Sequence, residues 1–355
     1  MLVSHRYSHE LCAGRHQTRR TWGPVRIQAS TGGPVETGGE NSRRGSSGSD
    51  RRSVFSRTAF GCAAGRALEF ERPDSLFKDP LARLLAGKEA IDGFTARKRI
   101  LDEKKEKEGS APGRLAYSIV IRTKFIDTII LAVTRSYPPP PDISVITDWL
   151  EDTGVGLINQ VVLLGSGLDA RPWRLDLHDG VHWFEVDRSE VVTEKQTLLL
   201  KAKAAIGSQD RQEPRFPLKV KKWVAVSSDI ETLSFLHKLE RRGLVVTEPV
   251  LWVMEGLLVY LEPEFVPRLL RVLNERCGFG SVLVVSLIMA TSGSLRRRKA
   301  WKWGCPKNHM DECGWEIVTW IPMSAAYKMF GCRSFRPSNL TPEKEPKFLV
   351  ARRIE

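Results

Sequence analysis

Ile158-Asn159-Gln160-Val161-Val162-Leu163-Leu164-Gly165-Ser166-Gly167-Leu168-Asp169-Ala170-Arg171-Pro172 is the stretch that decides the fold. Ile158 to Leu164 reads as a buried strand closed by glycine. Gly165 and Gly167 let the backbone turn sharply and approach a ligand, and Pro172 suits the first turn of a helix. Downstream, Val181 to Val186, Trp223 to Val226, Val250 to Met254 and Val282 to Ile288 repeat the apolar run. Helical segments lie between them, for example Ile230 to Arg242 and Pro263 to Glu275. Strands alternating with helices specify an α/β fold with a doubly wound, mainly parallel sheet. In such sheets ligands bind beyond the carboxyl ends of the strands, where the strand order switches.

The strand ends therefore supply the candidate site. On spacing alone, Gly165 to Ala170 is Gly-x-Gly-x-x-Ala, which also fits a dinucleotide fingerprint. Asp169 speaks against that: a carboxylate in the loop would face a pyrophosphate, whereas it is tolerable beside an ammonium or a sulfonium. Asp187 ends the second strand, 22 residues after Gly165, where an acid can accept hydrogen bonds from ribose hydroxyls or cap the next helix. Asp229, after the third strand, could accept the amine of adenine while Ile230 packs on the ring; its rival role is a helix N-cap. Glu255 stands at a buried strand end, where an unpaired charge is costly, so a cationic or hydrogen-bonding partner is expected.

The chain has 355 residues, of which 41% are apolar, with 55 Lys and Arg against 42 Asp and Glu. That is enough apolar residue for one large core or two small ones. No run approaches the roughly 20 apolar residues of a membrane helix, so no membrane partner is expected. Cys12, Cys62, Cys277, Cys305, Cys313 and Cys332 show no metal-ligand or disulfide spacing, and no metal is expected. Nine arginines and only four acids mark residues 1–53, an Arg-, Ser- and Gly-rich disordered extension whose composition matches an organellar transit peptide, chloroplast before mitochondrion, with a plain disordered extension of a cytoplasmic protein as the alternative. Residues 54–137 read as an N-terminal helical cap. Within it, Ser56 to Leu68 has helical spacing stopped by Pro73, the stretch Arg97 to Glu108 is highly charged, and Leu115 to Thr134 forms a further amphipathic helix. Pro138 to Pro141 form a stiff spacer before the domain at 142–355, which carries a lid-like segment at about 290–313. The cluster Arg296-Arg297-Arg298-Lys299-Ala300-Trp301-Lys302 mixes charge with an aromatic, but a solvated loop explains it better than a nucleic-acid track.

Several of these stretches together resemble the leucine carboxyl methyltransferase family. They are Ser56 to Ala59 with Arg72 to Pro80, Arg122 to Asp127, Gly165 to Arg171, Phe184 to Asp187, and Glu255 to Leu261. The likeness lies within the branch of S-adenosyl-L-methionine-dependent O-methyltransferases of bacteria and plants, and covers about Ser56 to Ile354, with Phe348 to Arg353 as a closing strand. It implies a class I, Rossmann-like sheet of seven strands and S-adenosyl-L-methionine as cofactor. Arg122 would hold the methionine carboxylate, Gly165 and Gly167 would line the amino-acid end with Glu255 beside it, Asp187 would bind the ribose, and Asp229 and Ile230 would contact adenine. The charged stretch Arg97 to Glu108 departs from the family pattern as an insertion, and the Arg296 to Lys302 segment departs near the lid.

The expected reaction is O-methylation of a carboxylate or hydroxyl on a small molecule, although a protein carboxylate is an open acceptor too. An ionised carboxylate needs no general base, and no histidine stands in a recognisable motif. Tyr260 is the candidate for positioning the acceptor, with core packing as its plain alternative. The rival readings are an NAD(P)-dependent oxidoreductase, which lacks a hydride-site signature here, and a non-catalytic protein retaining the fold. The oligomeric state is left open.

Overall fold

The computed structural model describes residues 54–107, 117–137, 157–207, 213–287, 306–332 and 345–353, with residues 144, 148 and 151 besides. The extension at 1–53, the proline spacer, the Arg296 to Lys302 cluster and residues 290–305 of the expected lid lie outside them.

Among the described residues three helices come first: α1 (Val54–Phe70), α2 (Ala82–Lys107) and α3 (Tyr117–Val133). Between α1 and α2 the carboxylates turn inward to serve the backbone. Glu69 accepts from the Leu76 amide at 2.9 Å, and Asp79 caps α2 by accepting from the Ala82 amide at 3.1 Å. α2 is kinked at Gly87, whose φ of 71° and ψ of 166° leave the helical region.

The sheet follows as β1 (Gln160–Leu164), α4 (Arg171–Arg174), β2 (His182–Asp187), α5 (Ser189–Lys201), β3 (Lys222–Ser227), α6 (Phe235–Arg241), β4 (Val250–Glu255), α7 (Phe265–Glu275) and β5 (Val282–Leu287). It is completed by α8 (Pro306–Glu312), β6 (Trp315–Pro322), α9 (Met323–Met329) and β7 (Lys347–Arg353). The strand order is β3-β2-β1-β4-β5-β7-β6, parallel through the first five, with β7 antiparallel to both its neighbours. This is the seven-stranded class I, Rossmann-like sheet. The order reverses between β1 and β4, which places the switch point beside the Gly165 loop.

Side chains alternate along each strand, and the two faces build separate cores. Val161, Leu163, Trp183, Val253, Val284 and Val350 face one way, into the core shared with α1, α2 and α3. Val162, Leu164, Phe184, Trp252, Leu283 and Leu349 face the other, with α6 and α7. The helix α7 shows why it lies there: Val266, Leu269, Leu270 and Leu273, at helical spacing, are its buried stripe. The helix α3 is buried nearly all round, and Phe125 stacks on Phe348 of β7 with ring centroids 4.3 Å apart. The N-terminal helices thus share the core of the sheet itself.

Two expectations need correcting. The single helix expected over Ile230 to Arg242 is a 3-10 turn at Ile230–Thr232 followed by α6, because Leu233 adopts φ 58° and breaks the path. The strand β6 has no counterpart in the sequence reading, since its half-exposed residues alternate only weakly.

Candidate active site

The loop after β1 is shaped by two left-handed glycines, Gly165 at φ 71° and Gly167 at φ 51°. The Gly165 amide donates to the Val186 carbonyl at 2.8 Å, which ties the loop to β2. A Cβ on Gly165 would lie 2.9 Å from Leu257 Cδ1, and one on Gly167 would lie 3.3 Å from Ala59 Cβ. The backbone here is thus closely packed and needs positive φ, two independent demands for glycine.

All seven residues expected to bind the cofactor line one cavity at the carboxyl ends of the strands: Arg122, Gly165, Gly167, Asp187, Asp229, Ile230 and Glu255. Tyr260 stands at its wall, where its hydroxyl donates to Thr58 Oγ1 of α1 at 3.2 Å. Asp187 accepts from the Gly167 amide at 2.7 Å through one oxygen and from the Arg188 amide at 2.8 Å through the other. Burial nevertheless holds its carboxyl above the ordinary carboxylate range, against the pull of those two amides. Each oxygen keeps acceptor capacity for a further donor. Asp229 occupies the N-cap role, accepting from the Glu231 amide at 3.0 Å, while Ile230 is buried against the cavity.

Glu255 has the cationic partners that its position demanded, and there are two. Arg122 Nε donates to one oxygen at 2.8 Å, and Arg171 Nη2 lies 2.8 Å from the other. Burial alone would raise this carboxyl; the guanidinium groups of Arg171 and Arg122 override it and hold the pKa at about 2. The pairs continue inward. Arg171 also binds Asp169 and Asp127, Arg174 binds Asp127 at 2.7 Å through both oxygens, and Arg66 binds Asp79 at 2.8 Å. Arg66 further donates to the Leu168 carbonyl of the glycine loop at 2.6 Å.

Four guanidinium groups and four carboxylates therefore form one buried, charge-neutral network reaching from the cavity into the helical layer. Neutrality is what makes its burial tolerable, because any one charge left unpaired would carry the full desolvation cost. The sequence reading found Arg122 only through family likeness and assigned nothing to Arg66, Asp127, Arg171 or Arg174. The available signal was Arg122 and Asp127 inside the mostly apolar helix α3, which also carries Thr123, Lys124 and Thr128. The weight placed on Asp169 against a pyrophosphate also needs correcting: its charge is met by Arg171, whose side chain and amide both bind it, so the loop carboxylate does not face the ligand unpaired.

The arrangement suits a ligand with an adenosine-like half and a zwitterionic half. The half near Asp187 and Ile230 offers hydroxyl acceptors and an apolar wall. The half near Arg122 and Glu255 offers one cation and one anion. Residues 59–137 and 143–274, more than half of the chain, match the family described as leucine carboxyl methyltransferase. A Streptomyces coelicolor protein named as an S-adenosyl-L-methionine-dependent methyltransferase is 31% identical over 238 residues, covering 65% of this chain and 68% of that one. A Frankia alni protein of the same description is 30% identical over 240 residues, covering 68% and 70%. A crystal structure of a Thermobifida fusca protein titled as a methyltransferase aligns over 77% of this chain and 92% of its own, at 18% identity and a TM-score of 0.42. With the Gly165 loop, the Asp187 strand end and the Arg122–Glu255 pair all inside the matched residues, the chain belongs to the leucine carboxyl methyltransferase family.

Proposed function

We propose that the protein is an O-methyltransferase acting on a carboxylate or hydroxyl of a small molecule. The chain is an S-adenosyl-L-methionine-dependent methyltransferase by family, and its cavity has the donor set that this cofactor needs. The observation that carries the reading is Glu255 sharing its two oxygens between Arg122 and Arg171 at the cavity wall. A zwitterion can enter there without changing the net charge of the network: Arg122 would hold the carboxylate of the amino-acid half, and Glu255 its ammonium. Asp187 would accept from the ribose hydroxyls, the glycine loop would lie against the amino-acid end, and Asp229 and Ile230 would hold the adenine.

When bound, the cofactor supplies an electrophilic methyl group on a sulfonium. The residues of the chain then have to orient an acceptor oxygen about 3 Å from that carbon and in line with the bond that breaks, so positioning supplies most of the acceleration. Among the described residues lining the cavity there is no histidine. A carboxylate acceptor, ionised near pH 7 from a reference pKa of about 4, would need no base. Tyr260, whose hydroxyl donates to Thr58, would orient the acceptor.

Calorimetric titration of the protein with S-adenosylhomocysteine tests this. Micromolar binding that is lost in Asp187→Ala supports it. Stabilisation by nicotinamide dinucleotides and not by S-adenosylhomocysteine would overturn it in favour of the oxidoreductase. As a separate proposal, residues 1–53 direct import into an organelle; a fluorescent protein fused behind them that stays in the cytosol would refute that.

A further inference from the structure

A second hollow adjoins the cofactor cavity along α1, with Thr58 and Cys62 in the lining of both. It is a groove of about 640 Å³ between α1, α2 and the start of α3. Its floor and walls are largely apolar, formed by Phe60, Ala90, Phe94 and Ile119 and kept wide by Gly61 and Gly93. A Cβ on Gly61 would meet only the Phe94 ring, at 3.5 Å, and one on Gly93 would meet nothing within 4 Å. A hollow of this size and lining is the usual kind of small-molecule site.

Two features say what belongs in it. Thr58 and Cys62 line both the groove and the cofactor cavity, so a molecule in the groove reaches the cavity across one turn of α1. The hydroxyl of Tyr260 reaches Thr58 at that same boundary. The groove also carries Arg57 and Arg97, both exposed, against the single acid Glu89 among its described lining residues. The Arg97 guanidinium lies 5.9 Å from the centroid of Phe94, which turns a cation over an aromatic wall. An apolar body with a negative group matches this lining; a neutral or cationic body does not.

We infer that the groove between α1 and α2 is the acceptor site of the methyltransferase and takes a small anion with an apolar, ring-sized or chain-like body, anchored by Arg57 and Arg97. This rests on the methyltransferase reading above. The acceptor then lies beside the cofactor cavity, with its reactive end presented past Thr58 and Cys62. From the charged stretch of α2, Arg97 supplies part of the recognition.

The test is calorimetry on the full chain saturated with S-adenosylhomocysteine. The probes are 1-naphthoate, 3-phenylpropanoate and decanoate, each beside its uncharged amide. The expected result is that at least one carboxylate binds at least tenfold more tightly than its amide. The double variant Arg57→Ala/Arg97→Ala should remove that difference while leaving the S-adenosylhomocysteine affinity as it was. Gly93→Phe should fill the groove and abolish binding of carboxylate and amide alike, whereas Gly93→Ala, equally compatible with the helix, should retain it. The inference is overturned if no probe binds, if carboxylate and amide bind equally, or if Gly93→Phe leaves probe binding intact, and in each case the cofactor reading survives. Failure of S-adenosylhomocysteine to bind the wild-type chain would overturn the cofactor reading itself, and the acceptor site with it.

Discussion

Gly167 donates its backbone N–H to the carboxylate of Asp187 at 2.7 Å, so the turn after β1 and the tip of β2 form one rigid unit before any ligand arrives. Asp187→Ala removes both that tie and the acceptor expected for the ribose. A charge-assisted hydrogen bond contributes about 1.5–3 kcal/mol. S-adenosylhomocysteine affinity should accordingly fall by at least about tenfold, read by titration calorimetry. Asp187→Asn, which keeps one acceptor oxygen but presents an amide to the second backbone donor, should fall in between.

Asp187 also gives binding a pH dependence. Its carboxyl titrates above the ordinary carboxylate range, and donation from ribose would favour the ionised form. Affinity should therefore be constant near neutrality and weaken as the pH drops through that raised value. A wild-type affinity that is unchanged down to about pH 4 would show that the ligand does not engage this carboxylate.

Glu255 governs acid stability, with its carboxyl shifted in the opposite direction from that of Asp187. Its pKa of about 2 lies below the ordinary 4.5, so its contribution to stability is complete above about pH 4.5 and is lost as the pH falls toward 2. Glu255→Gln leaves Arg122 and Arg171 short of a counter-charge and should cost about 3–5 kcal/mol at pH 7. Thermal unfolding should also show that the variant loses less stability than the wild type between about pH 5 and pH 3.

Gly165→Ala imposes a side chain on a φ of 71° and drives its Cβ to 2.9 Å from Leu257 Cδ1. The backbone share is about 1–2 kcal/mol. The steric share should be relieved in the double variant Gly165→Ala/Leu257→Ala, after allowing for the core volume that the second change removes. Additive losses in denaturant unfolding would show that the contact is not what makes glycine necessary.

Glu185 and Lys195 form a buried pair at 2.6 Å, with Trp183 Nε1 donating to the carboxylate at 3.1 Å. Burial pushes the carboxyl of Glu185 up, against the pull of Lys195. Lys195→Met should destabilise by about 3–5 kcal/mol, increasingly as the pH rises and the stranded carboxyl is forced to ionise. Lys195→Met/Glu185→Gln should recover most of the loss, since glutamine still accepts from Trp183.

The legible parts of this fold were those in which one local pattern decides the outcome. β1 to β5 are short apolar runs, closed by glycine or acid at β1, β2 and β4, and the run itself fixes both strand and burial. Gly165, Gly167, Asp187 and Glu255 followed, because a parallel sheet puts strand ends at the ligand. The break at Leu233 left no trace, since leucine seldom takes positive φ and only packing imposes it here. The ion network was illegible for a different reason. Arg122 and Glu255 are 133 residues apart, and Arg66 and Leu168 are 102 apart, so no window of sequence holds both partners. Thr58 and Cys62 received no site role, being small polar residues whose place between two hollows exists only once α1 is docked.

The position of β7 has a bearing on how the chain is made. It lies between β5 and β6, joined to each by an antiparallel ladder, although six strands are synthesised before it. β6 has no other neighbour in the sheet, and the Phe125 ring of α3 waits for Phe348. Until residues 347–353 leave the ribosome, β5 lacks its partner on one flank, β6 has no strand to pair with and Phe125 lacks its stacked ring. That interval, when an exposed strand edge invites pairing with another chain, is when a nascent molecule most needs a chaperone.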